Sequence, residues 1–157
     1  VMTELNITAK IMVCSYTELP EDEKNLIDLA KKATEGSYAP YSKFNVGAAL
    51  LLDNGELVTG ANQENASFPA GTCAERSCIF YAGAKYPGVK FRKLAIAAYT
   101  KGAFVSEPAA PCGVCRQAIL EYETISGEPI EILLYGENCI YKVNGIKDLL
   151  PLCFSEF

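Results

Sequence analysis

Thr72-Cys73-Ala74-Glu75-Arg76 and Pro111-Cys112-Gly113-Val114-Cys115-Arg116-Gln117 are the two stretches that decide how this chain reads. Each opens a segment with helical spacing of apolar residues. The first runs over Cys73–Tyr86, through Ile79 and Ala82, and stops at Pro87-Gly88. The second starts at Cys112, carries Ala118, Ile119 and Tyr122 on one face, and stops near Gly127. A cysteine at a helix start sits in partial positive potential beside free N–H groups, which lowers its pKa and favours the thiolate. Three thiolates from two helix starts suit one Zn²⁺, because a catalytic zinc takes three protein ligands and leaves its fourth tetrahedral position to water. Cys73, Cys112 and Cys115 are the candidate ligands. Three thiolates leave a formal charge of about −1 on the site, so bound water is less acidic than in an all-histidine site. Arg76 and Arg116 directly follow the two clusters and are placed to donate to the sulfurs and offset that charge. Taken alone, a Cys-x-x-Cys also fits a redox pair or half of a structural zinc knuckle. Cys78, just over one turn after Cys73, is then the candidate fourth ligand, although no second Cys-x-x-Cys completes the knuckle pattern.

Working outward, Leu19-Pro20-Glu21-Asp22-Glu23 starts a helix with acidic residues in its first turn, and Leu26, Ile27, Leu29, Ala30 and Ala33 give it an apolar face to about Thr34. This charged helix is expected as a solvated surface element, ended by Gly36. Val46–Leu52 is an almost wholly apolar run that reads as a buried strand. Asp53-Asn54-Gly55 signals a type I′ hairpin turn into a partner strand at Glu56–Gly60. Leu94–Tyr99 is the next strand, 101–110 a loop, and Ile130–Tyr135 a strand reached from the second cysteine helix by a parallel crossover. Tyr141–Val143 adds a short last strand, and Ile146–Leu150 a brief helix before Pro151. Val1–Tyr16 is expected as an edge strand or a frayed arm. The elements predict an α/β fold, a mixed five-stranded sheet with helices on both faces, in one domain over 1–157 with an N-terminal extension at 1–18.

Composition narrows the chemistry. The 157 residues contain no histidine. That removes Ser-His-Asp and Cys-His catalysis and every His-containing zinc site. A net charge of −5 disfavours a surface built for phosphate backbones, so a small free substrate is expected and no nucleic acid partner. No apolar run is long enough to span a bilayer, so no membrane partner is expected. Four of the seven cysteines lie outside the candidate site (Cys14, Cys78, Cys139 and Cys153) and are expected as buried small hydrophobes. A disulfide framework is not expected in a chain of this size without a secretory signal, and a reducing cytoplasm is the expected location.

The pattern Cys-Ala-Glu…Pro-Cys-x-x-Cys resembles the zinc-dependent deaminases. The three-cysteine form with Ala-Glu-Arg and Cys-Arg-Gln is similar to the small homotetrameric cytidine deaminases. Tyr38-Ala39-Pro40-Tyr41-Ser42-Lys43-Phe44, Val46-Gly47-Ala48-Ala49, Gly60-Ala61-Asn62, Glu64-Asn65-Ala66 and Leu149-Leu150-Pro151 to Phe154 agree in collinear order, from roughly Glu21 to Phe154. The resemblance implies a cytidine deaminase-like α/β/α fold, one Zn²⁺ per subunit and a homotetramer. It also implies hydrolytic deamination of cytidine or deoxycytidine in pyrimidine salvage. Glu75 then matches the proton carrier that acts as general acid and base. Asn62 and Glu64 match ribose-binding positions, and Phe68 an aromatic position near the sugar. Phe44 and Phe154 match aromatics packed on the base, the latter reaching a neighbouring subunit. Backbone groups around Ala74 match those that read the base edge. A polynucleotide deaminase, an antibiotic-nucleoside deaminase on the same fold, and a non-catalytic zinc-binding protein are the alternatives.

Overall fold

The computed structural model describes residues 1–156. Its strands are β1 (Met12–Cys14), β2 (Asn45–Leu52), β3 (Leu57–Ala61), β4 (Phe91–Thr100), β5 (Ala103–Phe104), β6 (Glu131–Tyr135) and β7 (Ile140–Val143). The helices are α1 (Glu21–Ala33), α2 (Ala74–Lys85) and α3 (Gly113–Ser126). One sheet has the order β1-β7-β6-β4-β2-β3, and β5 pairs with the far end of β4. β4 and β6 are parallel and joined through α3, while the neighbouring pairs are antiparallel. The sheet is mixed and covered on both faces, as expected, but it has seven strands rather than five. The additions are β1, which pairs with β7 and resolves the N-terminal segment into an edge strand preceded by exposed chain, and β5.

Alternation along the central strands sorts the core into two layers. Ala48, Leu50 and Leu52 of β2 and Leu94 and Ile96 of β4 face α2 and α3, where they meet Cys78, Ile79, Ala82, Ile119 and Leu120. Ala49, Ala95 and Ala97 face the other way, against Leu26, Ile27 and Ala30 of α1. Small side chains on that second face let α1 lie close. A Cβ on Gly47 would overlap the Ala30 carbonyl oxygen, so only glycine permits the approach. Burial from both sides is why these strands read as continuous apolar runs.

α1 is less of a surface element than its charge suggests. Glu23 is 1% exposed and accepts from both Lys93 and Lys142 at 2.8 Å. Burial alone would raise its pKa, but the two ammonium groups outweigh burial and pull it down to about 2. The β2–β3 turn also departs from expectation. Asn54 does not take a positive φ; Gly55 does, at 85°, and its N–H donates to the Leu52 carbonyl at 3.0 Å. This is a type I turn closed by a left-handed glycine, with Asn54 Oδ1 accepting from the Glu56 N–H at 3.0 Å. The turn with two positive φ angles is instead Lys101-Gly102 (53° and 83°), between β4 and β5, in the stretch expected as plain loop.

Candidate active site

α2 and α3 begin at the same side of the sheet, and the candidate ligands sit at their starts. Cys73 and Cys112 are the N-cap residues, with extended backbones and side chains that make no capping hydrogen bond to the first-turn backbone. Their sulfurs are therefore free to turn toward each other, 3.8 Å apart. Cys115, in the first turn of α3, is fully buried, and all three sulfurs lie within 4.8 Å of one another. Three sulfurs bound tetrahedrally at about 2.3 Å would stand about 3.8 Å apart, so the donor set fits zinc. Cys78 does not join them. Its thiol donates to the Val58 carbonyl at 3.3 Å inside the core, and burial pushes its pKa to about 12. Among the described residues the cluster has three ligands.

Crowding sets the protonation of this trio. The adjacent Cys115 sulfur and the Arg76 guanidinium pull the Cys73 pKa down to about 5. Cys115 is pushed up by the neighbouring Cys73 and by burial. Three sulfurs so close cannot all ionise without a cation, and a divalent ion is what would displace the retained proton. Arg76 Nη2 donates to Cys73 Sγ at 3.5 Å, the expected partner. Arg116 does not donate to a sulfur. Its Nε bonds the Pro111 carbonyl at 2.8 Å and its Nη1 the Leu149 carbonyl at 2.5 Å. One position past Cys115, its side chain leaves the sulfurs and ties the ligand loop to the C-terminal turn.

Glu75 follows Cys73 by two residues and is 4% exposed. Burial pushes its pKa up, and the Cys73 charge adds to that. It lines a cavity of about 290 Å³ with Cys73, Cys112, Ala74 and Phe44. A carboxyl with a raised pKa at the wall of a cavity is suited to giving a proton as well as taking one.

A second cleft of about 550 Å³ adjoins the first and shares Ser42, Asn62 and Cys73 with it. Glu64 and Phe68 line this cleft. The Glu64 carboxylate accepts from the backbone N–H groups of Tyr41 (2.9 Å) and Ser42 (3.2 Å). Hydrogen bonds from Ser42 and Tyr41 hold its pKa below the usual carboxylate range, so it presents charged oxygens. Asn62 is more heavily used by the protein than expected. Its Oδ1 accepts from Ser37 Oγ (2.5 Å) and the Val46 N–H (2.8 Å), and its Nδ2 donates to the Phe44 carbonyl at 2.9 Å. One amide hydrogen is left for a ligand. Phe154 lies outside both cavities of its own chain, 68% exposed, with its carbonyl accepting from Gln117 Nε2 at 3.0 Å. Ser42 and Tyr41 escaped the sequence reading because they act through backbone amides, and Ser37 because its partner is distant in the chain.

The arrangement brings sulfur ligands, a buried acid and a two-part cavity together, and the comparisons with known proteins agree with it. Residues 20–126 match the family model described as cytidine and deoxycytidylate deaminase zinc-binding region. A cytidine deaminase of Sporosarcina psychrophila is 46% identical over 136 residues, covering 86% of this chain and 93% of that protein. One from Halalkalibacterium halodurans is 45% identical, covering 85% and 95%. The crystal structure of cytidine deaminase from Burkholderia pseudomallei superposes with a TM-score of 0.71 at 39% identity, covering 87% of this chain and all of that one. With its matched zinc-binding region and its three-sulfur cluster, the cofactor is one zinc per subunit. By matched region, identity and fold, this chain belongs to the cytidine deaminase family.

Proposed function

We propose that the protein deaminates cytidine and deoxycytidine hydrolytically to the uracil nucleosides and ammonia, as a pyrimidine salvage enzyme. The observation that carries this reading is that buried Glu75 shares one cavity of about 290 Å³ with Cys73 and Cys112, two members of the three-sulfur cluster. Cys73, Cys112 and Cys115 hold the metal, and Arg76 neutralises part of their charge. When bound, zinc supplies the Lewis acidity that makes water a nucleophile near neutral pH.

The chain's own residues manage the protons. Glu75 takes one proton from the water and delivers it to ring N3, which leaves C4 electrophilic. The water oxygen bonds to C4. Glu75 then carries the proton of the new hydroxyl to the amino nitrogen, the C4–N bond breaks, ammonia departs, and C4 becomes a carbonyl. Each such transfer contributes about 10²–10⁴-fold. Phe44 packs on the base, and backbone groups at Ala74 read its edge. Glu64 accepts from a ribose hydroxyl, Asn62 offers its remaining N–H, and Phe68 flanks the sugar.

The chain is read as one domain that acts as a homotetramer. Exposed Phe80, Tyr81, Val114 and Ile125 on α2 and α3 support subunit contact there. Phe154, exposed and outside its own cavities, is read as serving a neighbour's site, which its exposure supports. Three cysteines used as metal ligands and four left outside disulfides fit a reducing cytoplasm. No helix among the described residues is long and apolar enough to cross a membrane.

An ammonia-release assay with free cytidine and with a cytosine-containing RNA oligonucleotide tests the substrate class. Turnover of cytidine alone is expected, since a net charge of −5 disfavours the basic groove that a strand needs. Turnover of the oligonucleotide with cytidine untouched would favour a polynucleotide deaminase.

A further inference from the structure

Lys43 has φ 59°, in the left-handed region that a residue with a side chain enters at a cost. Lys101, in the two-residue hairpin turn, and Leu152, near the chain end, share that region. Of these, Lys43 adjoins the site. Immediately before it, the N–H groups of Tyr41 and Ser42 hold the Glu64 carboxylate. Immediately after it, Phe44 lines the cavity that contains Glu75. One backbone torsion therefore stands between the carboxylate of the larger cleft and the ring of the smaller cavity.

Local bonds fix that torsion. The Lys43 N–H donates to the Ala39 carbonyl at 3.1 Å, closing the loop before it. The Phe44 N–H donates to Ser42 Oγ at 3.1 Å, and the Phe44 carbonyl accepts from Asn62 Nδ2. The Lys43 carbonyl accepts from Thr100 Oγ1 at 2.9 Å. Thr100 is the last residue of β4, so this bond anchors the loop to the central sheet.

We propose that Thr100 and left-handed Lys43 are positioning residues that fix the spacing between the Glu64 carboxylate and the Phe44 ring, and so set nucleoside affinity rather than the rate of proton transfer. This rests on the deaminase reading above, since it assigns the two cavities to sugar and base. Neither residue touches the reacting atoms. Their effect falls on KM, because a misplaced wall weakens ground state and transition state alike.

The test is steady-state cytidine deamination by four variants of the zinc-loaded protein, with zinc content and unfolding midpoint measured alongside. Thr100→Val keeps the shape and loses the donor. It is expected to raise KM about 3- to 10-fold with kcat within about 2-fold. Thr100→Ser restores the hydroxyl and is expected to restore KM. Lys43→Asn removes the charge near Glu64 but tolerates the left-handed region, so its KM stays within about 2-fold of wild type. Lys43→Val, β-branched and disfavoured at positive φ, raises KM. If Lys43→Val does not fold, the Thr100 pair and Lys43→Asn decide the matter. Unchanged KM in Thr100→Val, or a KM rise in Lys43→Asn from loss of the charge, overturns the proposal. A wild-type protein that holds zinc but leaves cytidine untouched overturns the deaminase reading instead, a result distinct from either.

Discussion

Glu75→Gln is expected to keep its zinc and its fold while losing cytidine deamination by roughly 10³-fold or more, since two proton transfers of about 10²–10⁴-fold each depend on one carboxyl. The amide has the size of the acid and can still hydrogen-bond, so the 4% exposed side chain stays packed in its cavity. It cannot take a proton from water, and it cannot pass one to N3 or to the departing nitrogen. Because Glu75 is not among the three clustered ligands, metal content should stay near one per chain. The check is a pair of numbers from one preparation, zinc per chain and the rate of uridine formation. Near-normal turnover in this variant would remove Glu75 from the chemistry.

Cys115→Ala is expected to lose both metal and activity. Cys115 is the fully buried member of the trio, reached through the first turn of α3. Its removal leaves Cys73 and Cys112 with Arg76 beside them, a pair of sulfurs with no third protein donor within 4.8 Å among the described residues. Losing a group that merely supports a ligand weakens metal binding about 10–100-fold, and losing a ligand should exceed that. The Cys115 sulfur belongs to the ligand cluster and to neither core layer, so the fold has little reason to collapse without it. Elemental analysis after dialysis against a chelator, compared with wild type, reads the effect. Full zinc retention by this variant would mean that another side chain completes the site.

These residues were legible because their chemistry is local in the chain. Cys73, Glu75, Cys112 and Cys115 lie within a few residues of a helix start, and helix starts are marked by pattern. Val46–Leu52 and Leu94–Tyr99 were legible because burial on both faces leaves no polar interruption. What escaped depends on partners distant in sequence. Arg116 looked like a sulfur donor from its position, but the Leu149 carbonyl, which no local pattern marks, takes its guanidinium. Glu23 looked like a solvated first-turn residue until β4 and β7 brought Lys93 and Lys142 against it. β1 and β5 are three and two residues long, too short for periodicity to register. The Asn54-Gly55 turn was misassigned because Asn54 satisfies its side chain by bonding Glu56 rather than by adopting a left-handed backbone.

The most direct measurement is zinc K-edge X-ray absorption on the purified protein. The expected spectrum fits three sulfur scatterers at about 2.3 Å and one oxygen or nitrogen scatterer near about 2.0 Å. Four sulfurs, or a preparation that binds no zinc at all, would contradict an open catalytic centre built on Cys73, Cys112 and Cys115.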